Sequence, residues 1–132
     1  MASVHETIVR RVYEAANRRD MDDILAGSHG DVEVRPVLGA NVGANIYRGH
    51  AGIRQWMEDL WGDWDSFETN VGQVVEHGDR LLYPVGLSGR GRVSGAPFEA
   101  EIFHVATMRD GLIARIEGFT DRESALRALE AT

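Results

Sequence analysis

The chain has 132 residues, 43% hydrophobic and 27% charged, which is ordinary for one globular domain and excludes a disordered chain. Acidic residues outnumber basic ones by 21 to 14, and the formal net charge of −7 argues against nucleic acid or a membrane surface as a partner. The absence of cysteine excludes disulfides, thiolate catalysis and cysteine-ligated zinc. No apolar run is long enough for a signal peptide or a membrane span, so we expect a cytoplasmic protein.

The first half of the chain predicts three helices and one strand. Apolar residues recur at helical spacing over residues 4–19, behind Ser3 as the N-cap, and a short helix over 21–28 follows the cap Asp20. Residues 31–37 alternate like a strand, and the glycine-rich stretch 38–49 is irregular. A third helix is marked by apolar residues on one face: Ile53, Trp56, Met57, Leu60 and Trp61.

The second half of the chain predicts an antiparallel meander and a last helix. Turn signals separate four runs rich in strand-forming residues, namely 67–76, 80–89, 97–109 and 112–120. Asp121 then caps a short helix. The helices are concentrated in the first half of the chain and the strands in the second half, and this order predicts an α+β fold. We expect a single domain over residues 1–132, with the helices on one face of the sheet.

Three segments of the chain resemble the SnoaL-like branch of the nuclear transport factor 2-like superfamily: VRRVYEAANRRDMDDI, YRGHAGIRQWM and GRGRVSGAPFEAEIFHVATMRDGLIARIEGFTDRESALRAL. In the last and most specific segment, a strand ending in RDG, a second strand and D-R-E-x-A-L follow in the family's usual order and spacing. The resemblance implies a conical α+β barrel, in which three N-terminal helices pack on the concave face of a curved mixed or antiparallel sheet and enclose a pocket. It also implies a homodimer formed through the sheet.

The mechanisms known in this superfamily fit the chain poorly. The resemblance to ketosteroid isomerases would require a tyrosine, a carboxylate base and a carboxylic acid where this chain has Val12, Arg35 and His104. None of the three positions carries the residue that the isomerase mechanism requires. An epoxide hydrolase would need two buried aspartates around a water molecule, and the aspartates here fall at predicted turns or ends: Asp31, Asp110 and Asp121.

Polyketide cyclases of the family offer a partial match. Their last-strand aspartate corresponds to Gly118, and the adjacent Glu117 reaches the pocket only if a bulge rotates it inward. His104 matches a strand histidine that these cyclases place in the pocket. Their general acid is therefore missing, while one polar pocket residue is retained.

Two residues are the candidates for catalysis. His104 shares a strand face with the apolar Ile102 and Ala106, and a neutral imidazole in such a cavity suits general acid–base work. Its alternative role is that of a core histidine without chemistry. Arg35, with Glu33 on the same strand face, is expected to point inward as a clamp for negative charge, or else to form a structural ion pair at the mouth of the cone.

The remaining candidates are residues expected to contact a ligand. They come from the first helix, the first strand, the region of the third helix and the last two strands: Tyr13, Glu33, Tyr47, Trp56, Met57, Ile102, Glu117 and Phe119. The five histidines show no HxxxH or HxH spacing, so we expect neither a metal site nor a cofactor.

Three functions stay open on the sequence. The first is an enzyme for a small, largely apolar carbonyl compound, of the isomerase, cyclase or dehydratase type. The second is a non-catalytic binding protein for a small hydrophobic ligand, and the third is a dimeric interaction module. We expect a homodimer also because Phe103 and Val105, on the outer face of their strand, need to be buried.

Overall fold

The computed structural model describes residues 2–37 and 46–131. These residues form four helices, α1 (Val4–Arg18), α2 (Met21–Ala26), α3 (Gly49–Asp63) and α4 (Arg122–Glu130). They also form seven strands: β1 (Ser28–Arg35), β2 (Tyr47–Arg48), β3 (Trp64–Val71), β4 (Val75–His77), β5 (Arg80–Gly91), β6 (Pro97–Arg109) and β7 (Leu112–Phe119). The glycine-rich stretch predicted to be irregular lies in large part outside the described residues.

The helix starts follow from local hydrogen bonds and agree with the predicted caps. The side chain of Ser3 accepts from the backbone N–H of Glu6 at the start of α1. Asp20 and Asp121 cap α2 and α4 in the same way. Each cap satisfies an N–H group that has no partner inside the first helical turn.

The strands form one mixed sheet in the order β2-β1-β7-β6-β5-β3, and β4 pairs with β5. The pairing of β1 with β7 is parallel, and the other pairings are antiparallel. The sheet curls into a half-barrel, which confirms the predicted α+β class. The early strand β1 lies one place in from the edge, because the two residues of β2 pair along its outer side.

The predicted strand over 67–76 is divided into β3 and β4 at Gly72. A Cβ at this position would lie 2.6 Å from the ring of Pro84. Only glycine therefore lets the backbone pass this close to the proline. The N–H of Gly72 donates to the carbonyl oxygen of Pro84. Proline has no N–H to donate in return. At this point the pairing partner of β5 changes from β3 to β4.

Helices cover both faces of the sheet, so the prediction that the helices pack on one face is wrong for α4. The three N-terminal helices pack on the concave face and form the main core with the inward residues of the strands. A second, smaller core lies on the opposite face, where Ala125 and Leu129 of α4 cover Leu82 and Val105. Val105 is only 1% exposed within the single chain. The need to bury this residue therefore gives no reason for a dimer, because α4 already meets it.

Within the described ranges, no helix combines the length and the apolar character that crossing a membrane requires. The cytoplasmic location stays a prediction.

Candidate functional site

A cavity opens between the N-terminal helices and the concave face of the sheet. The volume of the cavity is about 70 Å³. The described walls are almost wholly apolar and include no charged side chain; four polar residues reach the cavity, namely Tyr13, Ser28, Thr69 and His104. A cavity of this kind favours a small hydrophobic ligand with few polar groups.

Two of these polar residues have structural hydrogen bonds. The hydroxyl of Ser28 donates to the carbonyl oxygen of Ile24, which closes the end of α2. The hydroxyl of Thr69 donates to the side chain of Asn17, which joins β3 to α1. Tyr13 and His104 are the remaining two, and the lining residues Trp56 and Trp61 also carry indole N–H donors.

Tyr13, Tyr83 and His104 form a buried hydrogen-bonded chain. The hydroxyl oxygen of Tyr13 lies 2.5 Å from Nδ1 of His104 and 2.7 Å from the hydroxyl oxygen of Tyr83. Tyr83 and His104 are direct partners across β5 and β6, and α1 brings Tyr13 over both. All three residues are less than 8% exposed, so this is a polar cluster inside the apolar core.

Burial keeps all three groups neutral at physiological pH. It lowers the pKa of His104 to about 4, because the imidazolium would lose its hydration. It raises the pKa of Tyr13 and of Tyr83 well above the ordinary value for the same reason. A carboxylate beside His104 would have raised its pKa, and the opposite shift agrees with walls that carry no charge.

The structure brings five of the predicted site residues to the cavity wall: Tyr13, Trp56, Met57, Ile102 and His104. Tyr47 lies behind this wall, where its ring stacks on Trp56 and its hydroxyl donates to Asp59 at 2.7 Å. Burial and the bond to Asp59 raise the pKa of Tyr47 to about 12. Tyr47 therefore supports Trp56 and does not itself line the cavity.

The predicted inward orientation of Arg35 and Glu33 is wrong. Val32 and Val34 are the buried hydrophobic residues of β1, so the alternating neighbours Glu33 and Arg35 lie on the outer face. There the carboxylate of Glu33 accepts from Arg35 at 2.8 Å and from Arg48 at 3.1 Å. These guanidinium groups hold the pKa of Glu33 below its usual range, and the arrangement is the structural ion pair considered as the alternative.

The placement of Glu117 and Phe119 in the pocket is also wrong. No bulge occurs beside Glu117, which stays on the outer face and pairs with Arg115 at 3.3 Å. Phe119 packs into the second core under α4. The inward neighbour of both is Gly118, where a Cβ would lie 2.8 Å from the backbone nitrogen of Val37. The acid of the cyclases is therefore absent from this position, and its place is taken by the backbone of Val37.

Tyr83, the third member of the buried hydrogen-bonded chain, is a residue that reasoning from the sequence missed. It is completely buried and stands opposite His104 in the sheet. The available signal was the alternation of Leu81, Tyr83 and Val85 in β5, which places the tyrosine on the same sheet face as His104. Tyr13 and its neighbour Val12 both line the cavity.

Across residues 2–37 and 46–131, no three His, Asp or Glu side chains are grouped as the ligands of a metal ion would be. The expectation of no metal or cofactor stays a prediction.

The family of the chain follows from a match to the SnoaL-like domain that spans residues 9–116. The chain belongs to the SnoaL-like family. No curated protein matches it. Solved structures of SnoaL-like and NTF2-like proteins share its fold at low sequence identity, and three of them illustrate the range.

TerC, crystallised with polyporic acid, is 24% identical with a TM-score of 0.79, over 98% of this chain and all of TerC. An NTF2-like protein of Burkholderia thailandensis is 26% identical with a TM-score of 0.76, over 98% of this chain and 99% of its own. A Jannaschia protein assigned as a SnoaL-like polyketide cyclase is 17% identical with a TM-score of 0.75, over 98% of this chain and 93% of its own. Identities this low show the SnoaL-like fold and leave the activity open.

Proposed function

We propose that this SnoaL-like protein binds a small, largely apolar carbonyl compound in the cavity and assists proton transfer on it, in a reaction of the isomerase, cyclase or dehydratase type. The observation that carries the proposal is the neutral Tyr13–His104 pair at the wall of an otherwise apolar cavity. That the related TerC was crystallised with polyporic acid supports a small-molecule ligand for this fold.

The chemistry follows from the polarity of the site. A ligand carbonyl directed at His104 would meet a hydrogen-bonding group in surroundings from which water is largely excluded. Such a group stabilises the negative charge that develops on oxygen during enolisation. No carboxylate is present among the described lining residues, so the acceptor of a carbon-bound proton is either His104 itself or a water molecule. Arg35 has no part in this proposal, because it lies on the outer face.

The alternative is a binding protein without chemistry. The low polarity of the walls favours it, since a carrier needs only one polar contact while an enzyme needs convergent groups. The interaction module is less well supported, because the cavity is open and is not filled by side chains.

A cyclic ketone tests binding and chemistry separately. We expect indanone to bind in calorimetric titrations, and Ala16→Leu, which fills the cavity wall, to weaken binding by about tenfold or more. Ala51→Leu, at an exposed position of α3, is the matched control and should bind like wild type. If no small cyclic ketone binds to the wild-type protein, the proposed function is wrong.

Exchange of the ketone's α-hydrogens in deuterium oxide then separates the enzyme from the carrier. The enzyme should accelerate this exchange above the buffer rate, and His104→Gln should abolish the acceleration while leaving the fold intact. Binding of indanone with no acceleration in the wild-type protein would favour the carrier and contradict catalysis on this class of ketone.

We also propose a homodimer that uses the part of the outer face not covered by α4. Near β1 this face carries three arginines and the two glutamates paired with them, which leaves one net positive charge: Arg35, Arg48, Arg115, Glu33 and Glu117. Glu99 and Glu101 of β6 are exposed on the same face. A twofold axis could set the region near β1 of one protomer against the exposed glutamates of the other. Light scattering at micromolar concentration should give a dimer mass that Glu101→Lys reduces and Glu14→Lys does not. A monomer mass for the wild-type protein would contradict the proposal.

A further inference from the structure

We propose that His104 presents a protonated Nε2 to the cavity and therefore selects a ligand oxygen that accepts a hydrogen bond, such as a ketone, quinone or enolate oxygen. The identity of the ligand group rests on the proposed function. The proton position on the imidazole rests on the hydrogen bonds of the protein alone.

The buried chain has a limited number of hydrogen-bond donors and acceptors. Two hydrogen bonds join Tyr83, Tyr13 and His104. Each tyrosine supplies one hydroxyl hydrogen, while an imidazole nitrogen without a proton can accept but not donate. If Tyr83 donates to Tyr13 and Tyr13 donates to Nδ1 of His104, both hydroxyl hydrogens are used and both bonds are made.

A proton on Nδ1 leaves a buried donor without an acceptor, because three hydrogens then compete for two hydrogen bonds. If Tyr13 accepted from both His104 and Tyr83, its own hydroxyl hydrogen would be left over in a residue that is only 7% exposed. In the other arrangement His104 would donate to Tyr13 and Tyr13 would donate to Tyr83. The hydroxyl hydrogen of Tyr83 would then need a further acceptor, and its only hydrogen-bond partner within the described residues is Tyr13. Tyr83 is 0% exposed, so solvent does not supply one. An unsatisfied buried hydroxyl is costly, and the first direction is therefore favoured.

The favoured direction determines which proton the ligand meets. A neutral imidazole that accepts at Nδ1 carries its hydrogen on Nε2. Because Nδ1 is turned to Tyr13 and the ring lines the cavity, Nε2 is the nitrogen left for a ligand. The resting site is thus a hydrogen-bond donor and not a base.

The same chain keeps the proton on His104 when a ligand binds. Moving the proton from Nε2 to the ligand, with replacement at Nδ1 by Tyr13 and then by Tyr83, would leave a phenolate in the core. Burial of Tyr13 and Tyr83 opposes that charge. His104 therefore stabilises a negatively charged oxygen through a hydrogen bond, and a proton lost from the ligand carbon passes to a water molecule.

The position of the proton can be read from the histidine rings of the ligand-free protein. In a long-range proton–nitrogen correlation spectrum at neutral pH, we expect His104 to show an unprotonated Nδ1 and a protonated Nε2. His104→Gln identifies the signals that belong to this ring. A protonated Nδ1 in the wild-type protein would overturn the inference, and that result would leave the binding of ketones in the cavity unaffected.

Two isosteric variants show whether the tyrosine chain is the cause. Tyr13→Phe removes the donor to Nδ1, and we expect His104 to lose its fixed tautomer. Tyr83→Phe is the matched control, because Tyr13 can still donate, so the Nε2-protonated form should persist. A tautomer unchanged in Tyr13→Phe would show that the chain does not set it. If that variant does not fold, the wild-type spectrum still decides where the proton lies on His104.

A matched ligand pair tests the selection of an acceptor. Indanone and indane differ mainly in the carbonyl oxygen, and we expect the wild-type protein to bind the ketone about fivefold more tightly. Equal or tighter binding of indane would contradict the selection of an oxygen acceptor. Binding of neither compound, together with the expected tautomer, would count against the proposed function and against this ligand class but not against the assigned proton position.

Discussion

At the scale of single residues, His104 shows how surroundings determine the state of a titratable group. An imidazole ordinarily changes charge near pH 6.5. Here it lies among apolar side chains with two tyrosine hydroxyls as its polar neighbours, and its pKa falls to about 4. The ring is therefore neutral over the whole physiological range, and its hydrogen-bonding pattern does not change with pH there.

This lowered pKa predicts a loss of stability in weak acid. Between its folded and unfolded pKa values, the unfolded chain binds a proton at residue 104 that the folded protein does not bind. The contribution of neutral His104 to stability is thus complete above about pH 6.5 and is lost as the pH falls toward about 4. The expected decrease in the free energy of unfolding is about 2 kcal/mol between pH 7 and pH 5.

The measurement is urea unfolding of wild type and His104→Gln at both pH values. The variant lacks the titrating ring and should lose less stability, while carboxylates contribute equally to the two proteins. An equal loss in both would show that His104 titrates normally.

At the scale of secondary-structure elements, the cavity depends on how α1 is joined to the sheet. Asn17, in the last turn of α1, donates to the carbonyl oxygen of Thr69 at 2.9 Å and accepts from its N–H at 2.8 Å. Thr69 belongs to the edge strand β3, where Arg10 of α1 also donates to the carbonyl oxygen of Val71. The side chain of Asn17 continues the strand pairing at Thr69 and fixes the end of the helix that carries Tyr13.

We expect Asn17→Ala to lower the free energy of unfolding by about 1–3 kcal/mol, because two partly buried backbone groups of Thr69 lose their partners. Asn70→Ala, at the exposed neighbouring position of β3, should change it by less than about 0.5 kcal/mol. Chemical denaturation of the three proteins gives the comparison. Similar values for both variants would mean that Asn17 does not hold α1 on the sheet.

At the scale of the whole molecule, the sheet separates two cores with different roles. The core on the concave face contains the cavity and the buried polar chain. The core under α4 is continuous apolar packing that includes Phe103 and Phe119. The separation implies that stability can be changed on one side without changing the ligand site on the other.

Leu129→Ala tests this separation. Leu129 is 3% exposed, and its truncation should cost about 2–4 kcal/mol of unfolding free energy. Leu126→Ala, at a partly buried position of the same helix, should cost less. Neither variant should alter the affinity for indanone at a temperature where both are folded. A changed affinity in Leu129→Ala would show that the two cores are coupled.

The sequence alone determined the features that depend on neighbours along the chain. The caps Ser3, Asp20 and Asp121 were predictable because each bonds a backbone group three residues away. The turn after β6 was predictable because Asp110 and Gly111 both take a positive φ, of 56° and 76°. The alternation of β6 placed His104 on one face with Ile102 and Ala106, and its position in the cavity wall confirms the inward orientation.

Only the tertiary structure decided which distant groups meet. Arg35 and Glu33 were expected to face the cavity, whereas Val34 between them is the buried residue. A shift of one residue along a strand exchanges every inward and outward side chain. Phe119 faces α4 because of the way α4 folds back, which no local pattern records. The Tyr13–Tyr83–His104 chain joins residues 70 and 91 positions apart in sequence. Its existence depends on the packing of α1 across β5 and β6, because hydrogen bonds between side chains require a distance that periodicity along the chain does not specify.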